Sequence, residues 1–226
     1  LTYSLIPLPS SLSSVYLPPM RPVLSLLLAW LLGPTCLAAD SLPPLADGKV
    51  PQNLTELWGS YDPQAEPLQV EVTKEWEQAG IVCRVIRYRI GVFKGQPATM
   101  AAFYAFPKGA RSLPAILQIH GGGQSASLSA VVTNAKLGYA SLSLNWGGNK
   151  MTLADGKVYD GPNTDWGALD ATHPPQRNQA NHFAGGTEPD AFTLDAVDSP
   201  RNDNWFLVTL AARRALTFLE HQPEVD

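Results

Sequence analysis

The chain has 226 residues, 45% of them hydrophobic and 16% charged, with a formal net charge of −4. That composition supplies one globular core and excludes a chain disordered throughout. No Lys/Arg-rich stretch offsets the negative balance, so phosphate-backbone recognition is excluded as the main task and no nucleic-acid partner is expected.

Residues 1–19 hold no Met and no charge and read as a non-native extension upstream of the true start. Arg21 after Met20, the apolar run Val23 to Leu32, and Cys36-Leu37-Ala38 or Leu37-Ala38-Ala39 have the layout of a signal peptide over 20–39. Its apolar core is about half of the ~20 residues needed to cross a bilayer. The expectation is a secreted or periplasmic protein that begins near Ala39 or Asp40, with no stable membrane span after cleavage. Cys36 follows Gly33-Pro34-Thr35, a poor lipidation site. Cleavage removes it, leaving Cys83 without a disulfide partner and best read as a small buried hydrophobe between Ile81 and Val85.

Residues 40–67 are rich in Pro, Asp and Gln and read as a linker wrapping onto the domain through Leu57, Trp58 and Tyr61. From Leu68 the apolar period becomes two. Leu68 to Trp76, Ile81 to Ile90 and Thr99 to Phe106 are predicted antiparallel strands, with Ala79-Gly80 and Gly95-Gln96-Pro97 as turns. Leu113 to Ile119 is a nearly continuous apolar run, as expected of a strand buried on both faces. Three glycines follow, then a helix over Ser125 to Lys136 with Ser125 as its cap and Gly138 as its stop, then a strand over Tyr139 to Asn145. Strand, helix, strand predicts a βαβ unit in a mostly parallel sheet covered by helices. Residues 151–204 form a long insertion holding nine of the 20 Asp and Glu residues, the mark of a functional loop. A last helix is predicted over Trp205 to Glu220, started by Asn202 or Asp203 and stopped before Pro223, with an apolar stripe of Trp205, Val208, Ala212, Ala215 and Leu219.

The chemistry sits at the strand-to-helix junction. In His120-Gly121-Gly122-Gly123-Gln124, bare backbone lets N–H groups approach a bound carbonyl and stabilise charge developing on its oxygen. Gly122 and Gly123 are the first candidates for those donors and Gln124 a third; His120, at the strand end, is assigned structural support of the loop. Ser125 is rejected as a nucleophile, since Gly123-Gln124-Ser125-Ala126-Ser127 lacks the second glycine of a nucleophile elbow and a capping role explains the serine. A tight turn that merely joins strand to helix is the bland alternative.

This segment resembles the oxyanion loop of α/β-hydrolases, in the place after the third core strand where that fold carries it. Together with the N-terminal strands, Asn145-Trp146-Gly147-Gly148 and the long insertion, it is similar to secreted bacterial acetylxylan esterases and cephalosporin-C-deacetylase-like esterases over residues 68–226. The resemblance implies a partial α/β-hydrolase fold and a serine carboxylic-ester hydrolase acting on an acylated carbohydrate or small ester. Gly-x-Ser-x-Gly is absent from these residues. The expectation is therefore an N-terminal part without the nucleophile, acid and base, inactive alone, whose apolar strand Leu113 to Ile119 has an open edge where the fifth core strand would pair.

Trp146 and Trp166 are the candidate substrate-facing aromatics. Asp155, Asp160, Asp165 and Asp170 recur every five residues near Tyr159 and Trp166. That is either a sugar-facing rim, with Trp166 stacked on a pyranose, or a solvated loop kept soluble by charge. The rim would equally suit a secreted, non-catalytic carbohydrate-binding protein, and the glycine loop a peptidase of the same fold. His173 and His182 lie near Asp170 and Asp190 without short ligand spacing, so no metal and no cofactor are expected.

Overall fold

The computed structural model describes residues 40–169, 171 and 199–226. His173, His182, Asp170, Asp190 and the signal-peptide segment lie outside them, as does most of the second half of the insertion. Three long strands come first: β1 (Glu71–Gln78), β2 (Ile81–Phe93) and β3 (Gln96–Pro107). They are joined by two-residue turns, Ala79-Gly80 and Lys94-Gly95, in which all four residues have positive φ. Such turns match the right-handed twist of the flanking strands, so β1, β2 and β3 pair antiparallel. β4 (Ala115–Gln118), α2 (Leu128–Lys136) and β5 (Ala140–Leu144) form the expected βαβ unit, and α3 (Asn204–Glu220) follows the insertion. The short α1 (Leu54–Trp58) precedes the sheet.

The five strands lie in the order β1-β2-β3-β5-β4. Only β4 and β5 are parallel; β3 meets β5 antiparallel. Antiparallel N-terminal strands thus lead into a parallel βαβ unit as expected, and among the described residues the sheet is mostly antiparallel, because hairpin turns build three of its strands and a single helical crossover builds the parallel pair.

Alternation along β3 shows why both faces are covered. Met100, Ala102, Tyr104 and Phe106 join the core under α3, while Ala101, Phe103 and Ala105 join the core under α2. Cys83, on the α2 face, is completely buried and unpaired, and burial pushes its thiol up to about 11. β4 departs from expectation. It is the sheet's edge among the described residues, its side chains are half-buried, and Ile119 just beyond it is 50% exposed. Leu113, just before β4, bonds through its N–H and carbonyl to Glu224 and Asp226, whereas Ala115–Gln118 has no strand partner besides β5 among the described residues, so the open edge read from the sequence holds for β4 itself.

Residues 40–67 are held as part of the folded unit. Leu57, Trp58 and Tyr61 pack on the α3-side core as anticipated. Two buried arginines do the rest. Arg214 of α3, 1% exposed, donates to the carbonyls of Pro63, Glu66, Pro67 and Arg89. Arg201 donates to those of Pro43, Leu57 and Glu56. A guanidinium's planar fork of donors suits such carbonyl clusters, which keeps its buried charge solvated by dipoles.

Candidate active site

β4 ends one residue before Ile119 and delivers His120 into the space beneath the glycine turn. The ring is 7% exposed and lies flat on the Trp146 indole, centroids 5.2 Å apart and planes 6° from parallel. His120 Nδ1 is 2.7 Å from the Gly121 carbonyl oxygen. A carbonyl only accepts, so Nδ1 carries the proton and Nε2 is left to receive the Gly147 N–H, at 3.5 Å. Burial holds the ring below the ordinary histidine range, partly opposed by the bond to Gly121. A neutral, fully engaged imidazole fits loop support rather than proton transfer.

The turn itself is exposed on its outer side, with Gly123 at φ 71°, a conformation open to glycine at no steric cost. Its inner side is tied down. The Gln124 side chain reaches back to accept from Gly121 N–H at 3.1 Å, and the Asn149 amide donates to the carbonyls of Gly123, at 2.6 Å, and Gln124, at 3.3 Å. Asn145, at the end of β5, accepts from Ala126 N–H at 2.8 Å and donates to the Asn149 carbonyl at 2.9 Å and the Asn163 side chain at 2.6 Å. Among the described residues no group accepts from the N–H of Gly122, Gly123, Gln124 or Ser125. Four successive donors thus remain for a ligand. Gly147 makes the close packing possible: a Cβ there would lie 2.8 Å from both Gln124 O and His120 Cε1.

The structure revises several sequence readings. α2 begins at Leu128 and its cap is Ser127, which accepts from Ala130 N–H at 3.2 Å. Ser125 does not cap it. It stays in the loop because Asn145 and Ser143 take the Ala126 and Ser127 N–H groups and hold the chain extended there. The case against Ser125 as nucleophile now rests on its surroundings: among the described residues it makes no hydrogen bond to a histidine or carboxylate. Trp146 is 2% exposed, with its Nε1 donating to the His120 carbonyl at 2.9 Å, and Trp166 is 0% exposed. Neither presents a ring face to a sugar; both are core, drawn in because an indole buries more apolar area than the surrounding loop could cover otherwise.

The rim reading loses its aromatic and two of its four carboxylates; Asp160 stays exposed, and Asp170 lies outside the described residues. Asp155 pairs with Lys157 at 3.0 Å in an exposed hairpin turn, and Asp165 uses its backbone to bridge Thr99 and its side chain to accept from Gly167 N–H. The half-exposed aromatic near the site is Trp205, 49% exposed and 5.7 Å from the Trp146 ring, which the sequence placed on the buried stripe of α3. Asn145 and Gly147 enter the sequence reading only through the Asn145-Trp146-Gly147-Gly148 resemblance, with no role attached, and Asn149, the next residue, carries no mark of its own.

Beside the turn, a cleft of about 760 Å³ begins at Gln124 and Ser125 and runs along α2 past Ser129 and Thr133 to Lys136, with Thr152 on its other wall. Among the described residues no cluster of His, Cys, Asp and Glu is disposed to hold a metal, and no helix is long and apolar enough to cross a membrane.

No family model and no curated protein sequence matches the chain. Among the solved structures that are similar are two acetyl xylan esterases. Acetyl xylan esterase 1 from Thermoanaerobacterium sp. JW/SL YS485 is 16% identical with a TM-score of 0.50, the match covering 84% of this chain and 51% of that one. The acetyl xylan esterase from Paenibacillus sp. R4 is 22% identical with a TM-score of 0.48, covering 73% of this chain and 45% of that one. The chain therefore spans about half the length of these structures. What the Thermoanaerobacterium structure shares with it is a fold: the described residues form part of an α/β-hydrolase-like architecture, with antiparallel strands leading into a βαβ unit and helices on both faces.

Proposed function

We propose that this chain carries the oxyanion-binding part of an exported serine carboxylic-ester hydrolase that removes acetyl groups from a plant-type polysaccharide. The observation that carries the reading is the run of unengaged N–H groups from Gly122 to Ser125, held on a rigid frame at the end of a βα junction. In ester cleavage a serine oxygen attacks the acyl carbon, the carbonyl oxygen gains negative charge, and these N–H groups stabilise it. The cleft beside them combines hydroxyl and amide groups, such as Ser129, Thr133 and Gln124, with apolar Leu128, Val132 and Leu153 and one cation, Lys136, a mixture that accommodates the polar edges and apolar faces of a sugar chain. The fold shared with the Thermoanaerobacterium acetyl xylan esterase supports the same reading. With Trp166 and Trp146 buried, a purely carbohydrate-binding role loses the aromatic platform that recommended it.

Gly-x-Ser-x-Gly is absent from the 226 residues, so the nucleophile, acid and histidine are assigned to polypeptide outside this sequence. The test is to read the gene 3′ of the Asp226 codon and to measure acetate release from acetylated xylan by the encoded protein. A strand leading into Gly-x-Ser-x-Gly, with release abolished by Ser→Ala at that serine, is the expected result. The 226-residue chain by itself should hydrolyse p-nitrophenyl acetate no faster than buffer. Turnover by this chain that Ser125→Ala abolishes would overturn the assignment.

A further inference from the structure

Four N–H groups face outward from the glycine turn, but a carbonyl oxygen is held well only by donors whose direction is fixed in advance. Direction can be read from the peptide planes. In a trans peptide the C=O of one residue and the N–H of the next point to opposite sides of one rigid plane. A carbonyl clamped by the protein interior therefore aims the following N–H away from it. The Gly121 carbonyl is clamped by His120 Nδ1, which fixes the Gly122 N–H. The Gly123 and Gln124 carbonyls are clamped by the Asn149 amide, which fixes the N–H groups of Gln124 and Ser125. Among the described residues nothing donates to the Gly122 carbonyl, so the plane carrying the Gly123 N–H, midway through the turn, is not fixed.

We propose that Asn149 is a positioning residue for the oxyanion site, and that the working donors are the N–H groups of Gly122 and Gln124 rather than of Gly122 and Gly123. This rests on the reading of the turn as an oxyanion site. Asn149 is itself held, its own carbonyl receiving the Asn145 amide at 2.9 Å, and Asn145 is a completely buried residue at the end of β5. The clamp is thus built on the same βαβ unit that delivers His120. Residues at and just after the ends of two neighbouring strands thus fix three peptide planes of one turn, those carrying the N–H groups of Gly122, Gln124 and Ser125, the last held by the longer contact of 3.3 Å, and leave the plane carrying the Gly123 N–H unfixed.

The experiment is an acetate titration of the ¹⁵N-labelled 226-residue chain, followed by amide NMR, against sodium chloride of equal ionic strength. Acetate serves as the probe because its oxygen carries the charge that the tetrahedral oxyanion would carry. The amide protons of Gly122 and Gln124 should move with acetate while that of Gly123 stays. In Asn149→Ala the Gln124 response should fall about tenfold, the loss of one charge-assisted donor geometry, with the Gly122 response retained. His120→Phe should do the reverse. A loop that had merely lost its structure would lose both responses together.

If neither amide responds in the unmodified chain, the turn is not an oxyanion site and the broader reading falls with it. If Gly122 and Gly123 respond and Gln124 does not, the site stands and the assignment of Asn149 is wrong. A Gln124 response undiminished in Asn149→Ala would also overturn it. The unmodified chain alone separates the first two outcomes, so the test survives a variant that fails to fold.

Discussion

Replacing His120 by Phe separates what the imidazole does as a ring from what it does as a pair of polar atoms. Phe keeps an aromatic face over Trp146, 5.2 Å away in the native stack, but has no partner for either loop. The buried Gly147 N–H then loses its acceptor, and an orphaned buried donor costs about 1–3 kcal/mol; the native 3.5 Å separation puts this case at about 1. The Gly121 carbonyl, in an exposed loop, finds water instead and costs about 0.5 kcal/mol. The expected loss is about 1.5 kcal/mol at pH 7.5, read from urea unfolding. His120→Ala, which also removes the ring from a buried contact, should cost about 3 kcal/mol or more.

The pH dependence supplies the sharper test. Burial lowers the folded-state pKa of His120 below the ordinary 6.5. Between 6.5 and the lowered value the unfolded chain binds a proton that the folded one refuses, so this residue's contribution is present above pH 6.5 and is lost as pH falls through that window. The Phe variant lacks the titration. The stability gap between native protein and variant should therefore narrow from pH 7.5 to pH 5. A gap that stays constant or widens would mean that burial does not hold the ring neutral.

Gly147→Ala sets a Cβ 2.8 Å from Gln124 O and His120 Cε1; overpacking of this kind costs about 1–3 kcal/mol, and amide exchange at 121–125 should quicken, whereas unchanged exchange would show that β5 does not press on the turn. Arg214→Leu leaves the carbonyls of Pro63, Glu66, Pro67 and Arg89 without their donor. At about 1 kcal/mol each this sums to about 4 kcal/mol, measured by urea unfolding, with protease sensitivity appearing at 63–67; a loss under about 1 kcal/mol would refute the strap. Ala79 sits at φ 50° in the β1–β2 turn, so Ala79→Asn should raise stability by about 1 kcal/mol, and a lower melting temperature would count against that turn geometry.

Local rules made much of the fold legible. Period-two alternation located β1, β2 and β3, although only β2 and β3 are largely buried; along β1 no side chain is buried, Val72 is 49% exposed, and pairing with β2 holds the strand in the sheet. Asp203, one of two caps proposed, does accept from Trp205 N–H at 2.9 Å, and α3 stops at His221 ahead of Pro223. Hydrophobicity alone could not give sheet position. Leu113 to Ile119 has the composition of a central strand, and whether it lies at the centre or the edge depends on which strands pair with it. Serine caps show the same limit at short range: Ser125 and Ser127 are equivalent as residue types, and the choice between them is made by Asn145, eighteen to twenty positions away, whose side chain takes the Ala126 N–H.

The site was legible as glycines and illegible as geometry, for one physical reason. A glycine run says that the backbone is permitted many conformations; it does not say which one is held. That information lies in the partners of the carbonyls, and here they are side chains from another strand end: Asn149 on Gly123 and Gln124, and a histidine whose tautomer is set by Gly121 and Gly147. Tryptophans misled for a related reason. Near a sugar site an indole is a platform only if one face stays open, and Trp146 has its face covered by His120 while its Nε1 is spent on the His120 carbonyl. Every clamp on the turn comes from the β4-to-β5 unit and the segment just after it. The donors are therefore oriented before any nucleophile or substrate arrives, which is the condition under which backbone dipoles stabilise an oxyanion without reorganising during the reaction.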